Sequence, residues 1–261
     1  MDYLQALILG IIQGLTEFLP VSSSGHLEIG KAILGVEVED NLIFTVVVHA
    51  GTVCSTIIVF RKYILELLKG LFEFKYNEET KYVGKIALSM VPVGIVGVFF
   101  KDEVESLFAT DNMMFLVGCC LLFTAVILAF TYYAKEKQKD VSYRDAFLIG
   151  IAQTCAILPG LSRSGSTIAT GLLLGNKKEN IARFSFLMVL VPIIGENILS
   201  LLKGDFTANT SISAGVLAVG FLSAFVSGLL ACSWMVKIVS KGKLIYFAIY
   251  CLIVGLIAII W

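Results

Sequence analysis

Residues 13–30 read QGLTEFLPVSSSGHLEIG and place Glu17, three consecutive serines and His26 inside a sequence that otherwise looks membrane-embedded. The proline and the serine run interrupt the helical pattern. They leave two apolar pieces, each too short to cross a hydrocarbon core of about 30 Å. We therefore expect residues 3–35 to form a helical hairpin that enters the membrane and turns back.

The whole chain has the composition of an integral membrane protein. Of its 261 residues, 57% are hydrophobic and only 15% are charged, and the mean hydropathy is +0.89, well away from the values of soluble domains. The formal net charge is zero, so nothing in the charge favours nucleic acid as a partner. Six apolar runs are long enough to span the bilayer: 42–60, 83–100, 112–133, 183–202, 211–235 and 244–261.

A second broken region, at 145–175, repeats the first. A shift of 140 residues lays 6–35 over 146–175 without a gap, and nine aligned positions are identical, Gly25 and Gly165 among them. Each copy then consists of one hairpin and the three spanning helices that follow it. Because an odd number of crossings reverses the direction of entry, the second copy is expected in the opposite orientation.

The sequence thus predicts an all-α polytopic membrane protein with a single membrane domain, residues 1–261. It contains two inverted-topology repeats, 1–133 and 145–261, and each repeat is a re-entrant helical hairpin plus three transmembrane helices. The first hairpin is 3–35 and the second is 145–175.

The basic residues support the opposite orientations independently. Most of the 20 lysines and arginines fall in four segments, 61–85, 134–144, 176–183 and 236–243, and the other loops hold few. By the positive-inside rule these four segments are cytoplasmic. Both ends of the second hairpin are then cytoplasmic, both ends of the first are external, and the polar tips meet near the midplane.

The polar tips predict an anion site. Backbone that leaves a helix within lipid survives only where it is buried in protein or lines a polar cavity. Helix N-termini, hydroxyl groups and the guanidinium of Arg163 together suit a phosphate or diphosphate. The candidate substrate-binding residues are Ser22, Ser24, Gly25, Ser162, Ser164 and Thr167.

Glu17 brings the opposite charge, and an acidic side chain inside a membrane is a functional candidate. Gln13 lies one helical turn before it, so the two could share a divalent cation or hold one another in place. His26 follows the break, where it could face Glu17 and move protons. A purely structural alternative is an ion pair between Glu17 and Arg163. His49 and Glu28 have no obvious partners; they could line a pore or lie at the membrane interface, and a purely structural role is preferred.

These residues resemble two motifs of the bacterial undecaprenyl-diphosphate phosphatases of the bacitracin-resistance type. QGLTEFLPVSSSGHL at 13–27 resembles the family's Glu/Gln-x-x-x-Glu element and the Pro-x-Ser-Ser-x-Gly-His run after it. PGLSRSGST at 159–167 resembles the family's Pro-Gly-x-Ser-Arg-Ser-x-x-Thr element. The resemblance covers essentially the whole chain. It implies a hydrolase that converts the lipid diphosphate to the monophosphate, uses a divalent cation (Mg2+ or Ca2+) and recycles the carrier for cell-wall synthesis.

The resemblance implies catalytic roles for four residues carried over by position: Glu17, Ser23, His26 and Arg163. Gln13, which with Glu17 is the candidate metal ligand, stands where many members have Glu. Glu28 is less usual at its position than an apolar residue, and the sequence offers no account of it.

Several alternatives stay open. Ser23 is the candidate nucleophile with Glu17 or His26 as its base, but direct attack by His26 or by water is not excluded. An inverted-repeat transporter or polyprenyl-phosphate flippase is the alternative function, because broken helices at the midplane also build transporters. The expected partners are the polyprenyl diphosphate lipid and the bilayer, and a homodimer is left open. The resemblance implies the bacterial cytoplasmic (inner) membrane and a site that opens to the external side.

Overall fold

The computed structural model of the chain describes residues 1–36, 41–100, 103, 112–135, 137–203 and 212–261, and these residues are almost entirely helical. The helices are α1 (Tyr3–Phe18), α2 (Ser23–Leu34), α3 (Asn41–Phe72), α4 (Glu78–Phe99), α5 (Met113–Phe130), α6 (Tyr143–Cys155), α7 (Arg163–Leu173), α8 (Lys178–Met188), α9 (Leu190–Lys203), α10 (Ala214–Ser240) and α11 (Ile245–Ile260). The acidic stretches at 35–40 and 101–106 lie largely outside the described residues, and so does the side chain of Glu196.

Five apolar helical segments among the described residues are long enough to cross a bilayer, so the chain is a multi-pass membrane protein. They are Ile43–Phe72, Glu78–Phe99, Met113–Tyr133, Lys178–Leu199 and Ala214–Ser240. Each overlaps one predicted span. The sixth prediction, 244–261, corresponds to α11, which has only 16 residues and rises about 24 Å. α11 is therefore shorter than the core that it was expected to cross.

The predicted span 183–202 consists of two helices rather than one. α8 ends at Met188 and α9 begins at Leu190, so only Val189 separates them. Pro192 explains the break, because a proline ring clashes with the carbonyl group four residues earlier, here that of Met188. Pro92, by contrast, lies inside a continuous α4.

Each of the two broken regions folds back on itself as a pair of helices. Gln5 near the start of α1 donates to the carbonyl of Leu34 at the end of α2, with 3.0 Å between the Gln5 Nε2 and Leu34 O atoms. In the second region the backbone N–H of Lys177 donates to Lys139 O, and that of Lys137 donates to Gly175 O, both at 3.0 Å. The chain entering α6 is thus joined to the chain leaving α7.

Small residues allow the helices to approach closely, as expected where lipid supplies no hydrophobic driving force. Along α1, Gly10 and Gly14 lie directly against Ser223 and Ser227 of α10. Gly150 of α6 lies against the backbone of α4 at Ser89. In the same way α5 packs along α11. The polar tips are therefore held between tightly packed helices.

Substitution of Gly160, in the break between α6 and α7, is expected to have a large effect on stability. Its φ is +92°, and a Cβ atom there would lie 2.6 Å from Val117 O and 2.8 Å from Val117 Cα. We expect Gly160→Ala to lower the free energy of unfolding by roughly 1–3 kcal/mol, through backbone strain and overpacking. Thermal unfolding of the detergent-purified protein measures this. Gly94→Ala is the matched control, because a Cβ at Gly94 meets nothing within 4 Å; equal melting temperatures for the two variants would contradict the prediction.

Candidate active site

The tips of the two hairpins contact each other directly. Ser164 at the start of α7 donates its hydroxyl to the carbonyl of Leu19 in the first break, at 3.1 Å. A Cβ atom at Gly25 would lie 2.9 Å from Gly160 Cα, and one at Gly165 would lie 3.4 Å from Pro20 Cβ. The shift of 140 residues maps Gly25 onto Gly165 and Pro20 onto Gly160. The same glycine therefore makes the close approach in each repeat.

Two serines cap the helices that restart at the tips. Ser22 Oγ accepts from the backbone N–H of Gly25 at 3.3 Å, and Ser162 Oγ accepts from Gly165 N at 3.0 Å. Both capping serines are buried, and each holds the backbone of its tip in place. Ser22 also has a φ of +70°, a conformation that costs energy for any residue other than glycine and is often found at functional sites.

The carboxylate of Glu17 has three polar neighbours. Its Oε2 accepts from Gln13 Nε2 at 2.8 Å and from Ser23 Oγ at 2.7 Å. His49 Nε2 lies 3.7 Å from the same oxygen, and only 6% of the Glu17 side chain is exposed. A serine hydroxyl that donates to a buried carboxylate has the geometry of a nucleophile with its base.

Arg163 is the first residue of α7, as Ser23 is the first residue of α2. The two positions correspond under the shift of 140 residues, so the two hairpins present a hydroxyl and a guanidinium from equivalent places. Among the described residues, no carboxylate forms a direct ion pair with Arg163. Glu17 and Arg163 line the same cavities, and their opposite charges attract each other across that space without a direct ion pair. The guanidinium is available to an anion.

Two small cavities adjoin Glu17, Arg163 and Ser164. One, of about 30 Å³, lies between the tips and has mostly polar walls: Thr16, Glu17, Ser22, Ser23, Ser24, Ala156, Leu161, Ser162, Arg163 and Ser164. The other, of about 20 Å³, extends towards α3 and α8, where Thr52, Thr56 and Ser185 line it. Thr167 forms part of this second wall, and its hydroxyl is 2.6 Å from Ser185 Oγ. Of the predicted substrate-binding residues, only Gly25 lies behind these walls, in the contact between the tips.

His26 does not face Glu17, contrary to expectation. Its Nδ1 donates to Ser22 O at 2.8 Å, which leaves Nε2 to accept from the Tyr250 hydroxyl at 2.9 Å. The His26 and Tyr250 rings are also stacked, with centroids 5.5 Å apart. Both ring nitrogens are thus engaged away from the carboxylate. Glu28, which the sequence left without an account, pairs with Lys31 at 3.0 Å.

His49 is the histidine that lies beside Glu17, so the expectation that it has no obvious partner was wrong. The missed signal is a polar stripe on α3. His49, Thr52 and Thr56 recur at positions i, i+3 and i+7 of an otherwise apolar helix, and this spacing places them on one face. That face points to the cavity beside Glu17. Tyr250, the partner of His26, gave no comparable signal.

Few side chains near the tips could bind a divalent cation. No group of three or more His, Cys, Asp or Glu side chains suited to a metal occurs in the described part of the chain. At the tips, the Glu17 carboxylate lies beside Gln13, whose Oε1 is buried without a hydrogen-bond partner. Such oxygen donors suit Mg2+ or Ca2+ when phosphate oxygens and water complete the coordination. The donor set therefore fits a cation shared with a bound phosphate.

Comparisons with known proteins identify relatives over nearly the whole chain. Residues 6–257 match the family model described as bacitracin resistance protein BacA. The undecaprenyl-diphosphatase of Parabacteroides distasonis is 60% identical over 263 residues, which cover 99% of this chain and 98% of the relative. That of Christiangramia forsetii is 54% identical, over 100% of this chain and 98% of the relative. That of Methanosphaera stadtmanae is 38% identical, again over 100% of this chain and 98% of the relative. The chain therefore belongs to the BacA bacitracin-resistance family.

Proposed function

We propose that this membrane protein hydrolyses undecaprenyl diphosphate to undecaprenyl phosphate and inorganic phosphate, and so recycles the lipid carrier for cell-wall synthesis. One observation carries the proposal: the hydroxyl of Ser23 donates to the buried carboxylate of Glu17 at 2.7 Å, in a cavity that Arg163 also lines. A binding cavity for transport would need the cation and the hydroxyls. It would not need a nucleophile already paired with a base.

Each residue has a separate role in the proposed reaction. Ser23 Oγ attacks the terminal phosphorus, Glu17 takes the hydroxyl proton, and undecaprenyl phosphate leaves as the bond to the bridging oxygen breaks. Glu17 passes this proton to the departing phosphate, then takes a proton from the water that attacks the phosphoserine, and returns it to Ser23 Oγ as inorganic phosphate is released. Arg163 neutralises the charge on the transferring phosphoryl group, which is the main source of catalysis in this chemistry.

Glu17 and Gln13 are the residues that would hold the activating cation. When bound, Mg2+ or Ca2+ would supply charge neutralisation at the phosphate oxygens. His26 and Tyr250 support the chain at the first tip, since the His26 ring fixes the Ser22 carbonyl. The role proposed for His26 is thus to position the serine run, while Glu17 handles the proton.

Phosphate release from undecaprenyl diphosphate by the detergent-purified protein, with and without Mg2+ or Ca2+, tests the function. Cation-dependent release is expected. No release, together with retained binding of the lipid, would overturn the proposal in favour of transport.

Arg163→Lys is expected to lower kcat/KM for phosphate release by about 10²-fold, because lysine keeps the charge but loses the planar fork that grips two phosphate oxygens. Arg61→Lys is the matched control. The Arg61 guanidinium is exposed and donates to Ile58 O at 2.8 Å, away from the tips, so this variant should retain activity. Equal kcat/KM values for Arg163→Lys and the parent protein would contradict the assignment.

We also propose that the two halves are inverted repeats with re-entrant hairpins, in the bacterial cytoplasmic (inner) membrane with the site open to the outside. The packing supports this. α1, from the first half, lies along α10 in the second, while α6, from the second half, lies along α4 in the first. The last helices of the halves, α5 and α11, lie against each other. A two-fold rotation exchanges the first two contacts and preserves the third. The homodimer stays a prediction from the sequence.

Labelling of single cysteines tests this topology in a variant without the six native cysteines. Asp2→Cys and Val36→Cys mark the two ends of the first hairpin, and Lys75→Cys and Lys135→Cys mark basic loops. A membrane-impermeant maleimide should label the first pair in intact spheroplasts and the second pair only after permeabilisation. Labelling of Asp2→Cys and Val36→Cys from opposite sides would show that the hairpin spans the membrane, and would contradict the topology.

A further inference from the structure

The ring of His49 is held in one orientation. Its Nδ1 lies 2.8 Å from the carbonyl oxygen of Thr45. Because a carbonyl oxygen only accepts, Nδ1 must carry a hydrogen. In the neutral ring the other nitrogen, Nε2, then presents a lone pair. The backbone of α3 thus selects the tautomer.

The nitrogen with that lone pair lies close to another acceptor. Nε2 lies 3.7 Å from Glu17 Oε2, which already accepts from Gln13 and Ser23. The distance is too long for a charge-assisted hydrogen bond, which spans about 2.7–2.9 Å. Two ligand atoms that bind the same divalent cation, each at about 2.0–2.3 Å, lie roughly 3–4 Å from each other. The spacing therefore suits two ligands of one metal ion.

Two further features of these side chains are typical of a metal site. A histidine ligand usually donates its second ring N–H to a carboxylate or a backbone carbonyl, which fixes the ring, as Thr45 does for His49. The amide of Gln13 contacts the same carboxylate through its Nε2, and its buried Oε1 has no hydrogen-bond partner among the described residues. An imidazole nitrogen, an amide and a carboxylate thus lie together.

We infer that His49, through Nε2, is a ligand of the activating cation together with Glu17 and Gln13. This inference rests on the proposed function and adds a nitrogen donor to a site that the sequence assigned to oxygen alone. Imidazole ligands favour transition metals, whereas Ca2+ prefers oxygen. The site should therefore accept Mn2+, and should bind Mn2+ more tightly than Ca2+.

Electron spin echo spectroscopy of Mn2+ bound to the purified full-length chain tests the inference. In a nitrogen-free buffer and detergent, a coordinated imidazole modulates the echo through its ¹⁴N nucleus. The chain has only two histidines, so His26→Gln is the matched control for His49→Gln. We expect the modulation in the parent protein and in His26→Gln and its loss in His49→Gln, with Mn2+ affinity in His49→Gln lower by at least roughly ten-fold.

Three results would overturn the inference: no ¹⁴N modulation in the parent protein, modulation that persists in His49→Gln, or modulation lost only in His26→Gln. Phosphate release from undecaprenyl diphosphate, measured on the same preparation, separates this inference from the proposed function. Release without ¹⁴N modulation would remove His49 from the site and leave the phosphatase intact. Modulation without release at saturating Mn2+ would keep the metal ligand and overturn the phosphatase.

Discussion

Glu17→Gln is expected to lower kcat for phosphate release by about 10³-fold, within the range usual for loss of a general base. Glutamine has nearly the same shape as glutamate but cannot take the proton that Ser23 now donates across 2.7 Å. It also removes the only negative charge among the proposed cation ligands. Steady-state phosphate release from detergent-solubilised undecaprenyl diphosphate at saturating cation measures the effect.

Glu28→Gln is the matched control for Glu17→Gln. Glu28 belongs to α2, only a few residues beyond the serine run, but its carboxylate pairs with Lys31. Its loss should leave kcat within about two-fold, because Glu28 is not among the residues that line the two cavities at the tips. A Glu17→Gln variant as active as the Glu28→Gln variant would remove Glu17 from proton transfer.

Ser23→Ala is expected to reduce kcat by a similar factor, about 10³-fold, because within the described part of the chain no other hydroxyl donates to Glu17. The proposed pathway also predicts a phosphoserine at residue 23. Acid quenching of a single turnover followed by mass spectrometry would detect it. The intermediate should be present in the parent protein and absent from the variant.

Ser233→Ala controls for the loss of a hydroxyl elsewhere. The exposed Ser233 donates to Leu229 O of its own helix, at 2.9 Å, so its removal should not alter turnover. If Ser23→Ala instead retained near-normal turnover and no phosphoserine formed, the attack would belong to water or to His26. Glu17 would then activate water directly.

The sequence by itself determined the parts of this site that depend on local rules. A proline and a capping serine end one helix and start the next, so the breaks after α1 and α6 could be placed from residues 13–30 and their repeat. The spacing of Gln13 and Glu17 is one helical turn, and the two side chains do interact. Five of the six spans also follow from hydropathy, since membrane thickness sets their length.

Local rules failed where a distant helix supplied the decisive neighbour. His26 is close to Glu17 in sequence, but the hydroxyl of Tyr250, 224 residues away, engages its Nε2. His49 belongs to a different helix, and α3 carries it to the carboxylate. The two histidines have the same chemistry, and only the packing of α3 and α11 around the first hairpin decides which one meets Glu17. Arg163 also comes from a distant helix, because α7 carries its guanidinium into the cavities that Glu17 lines.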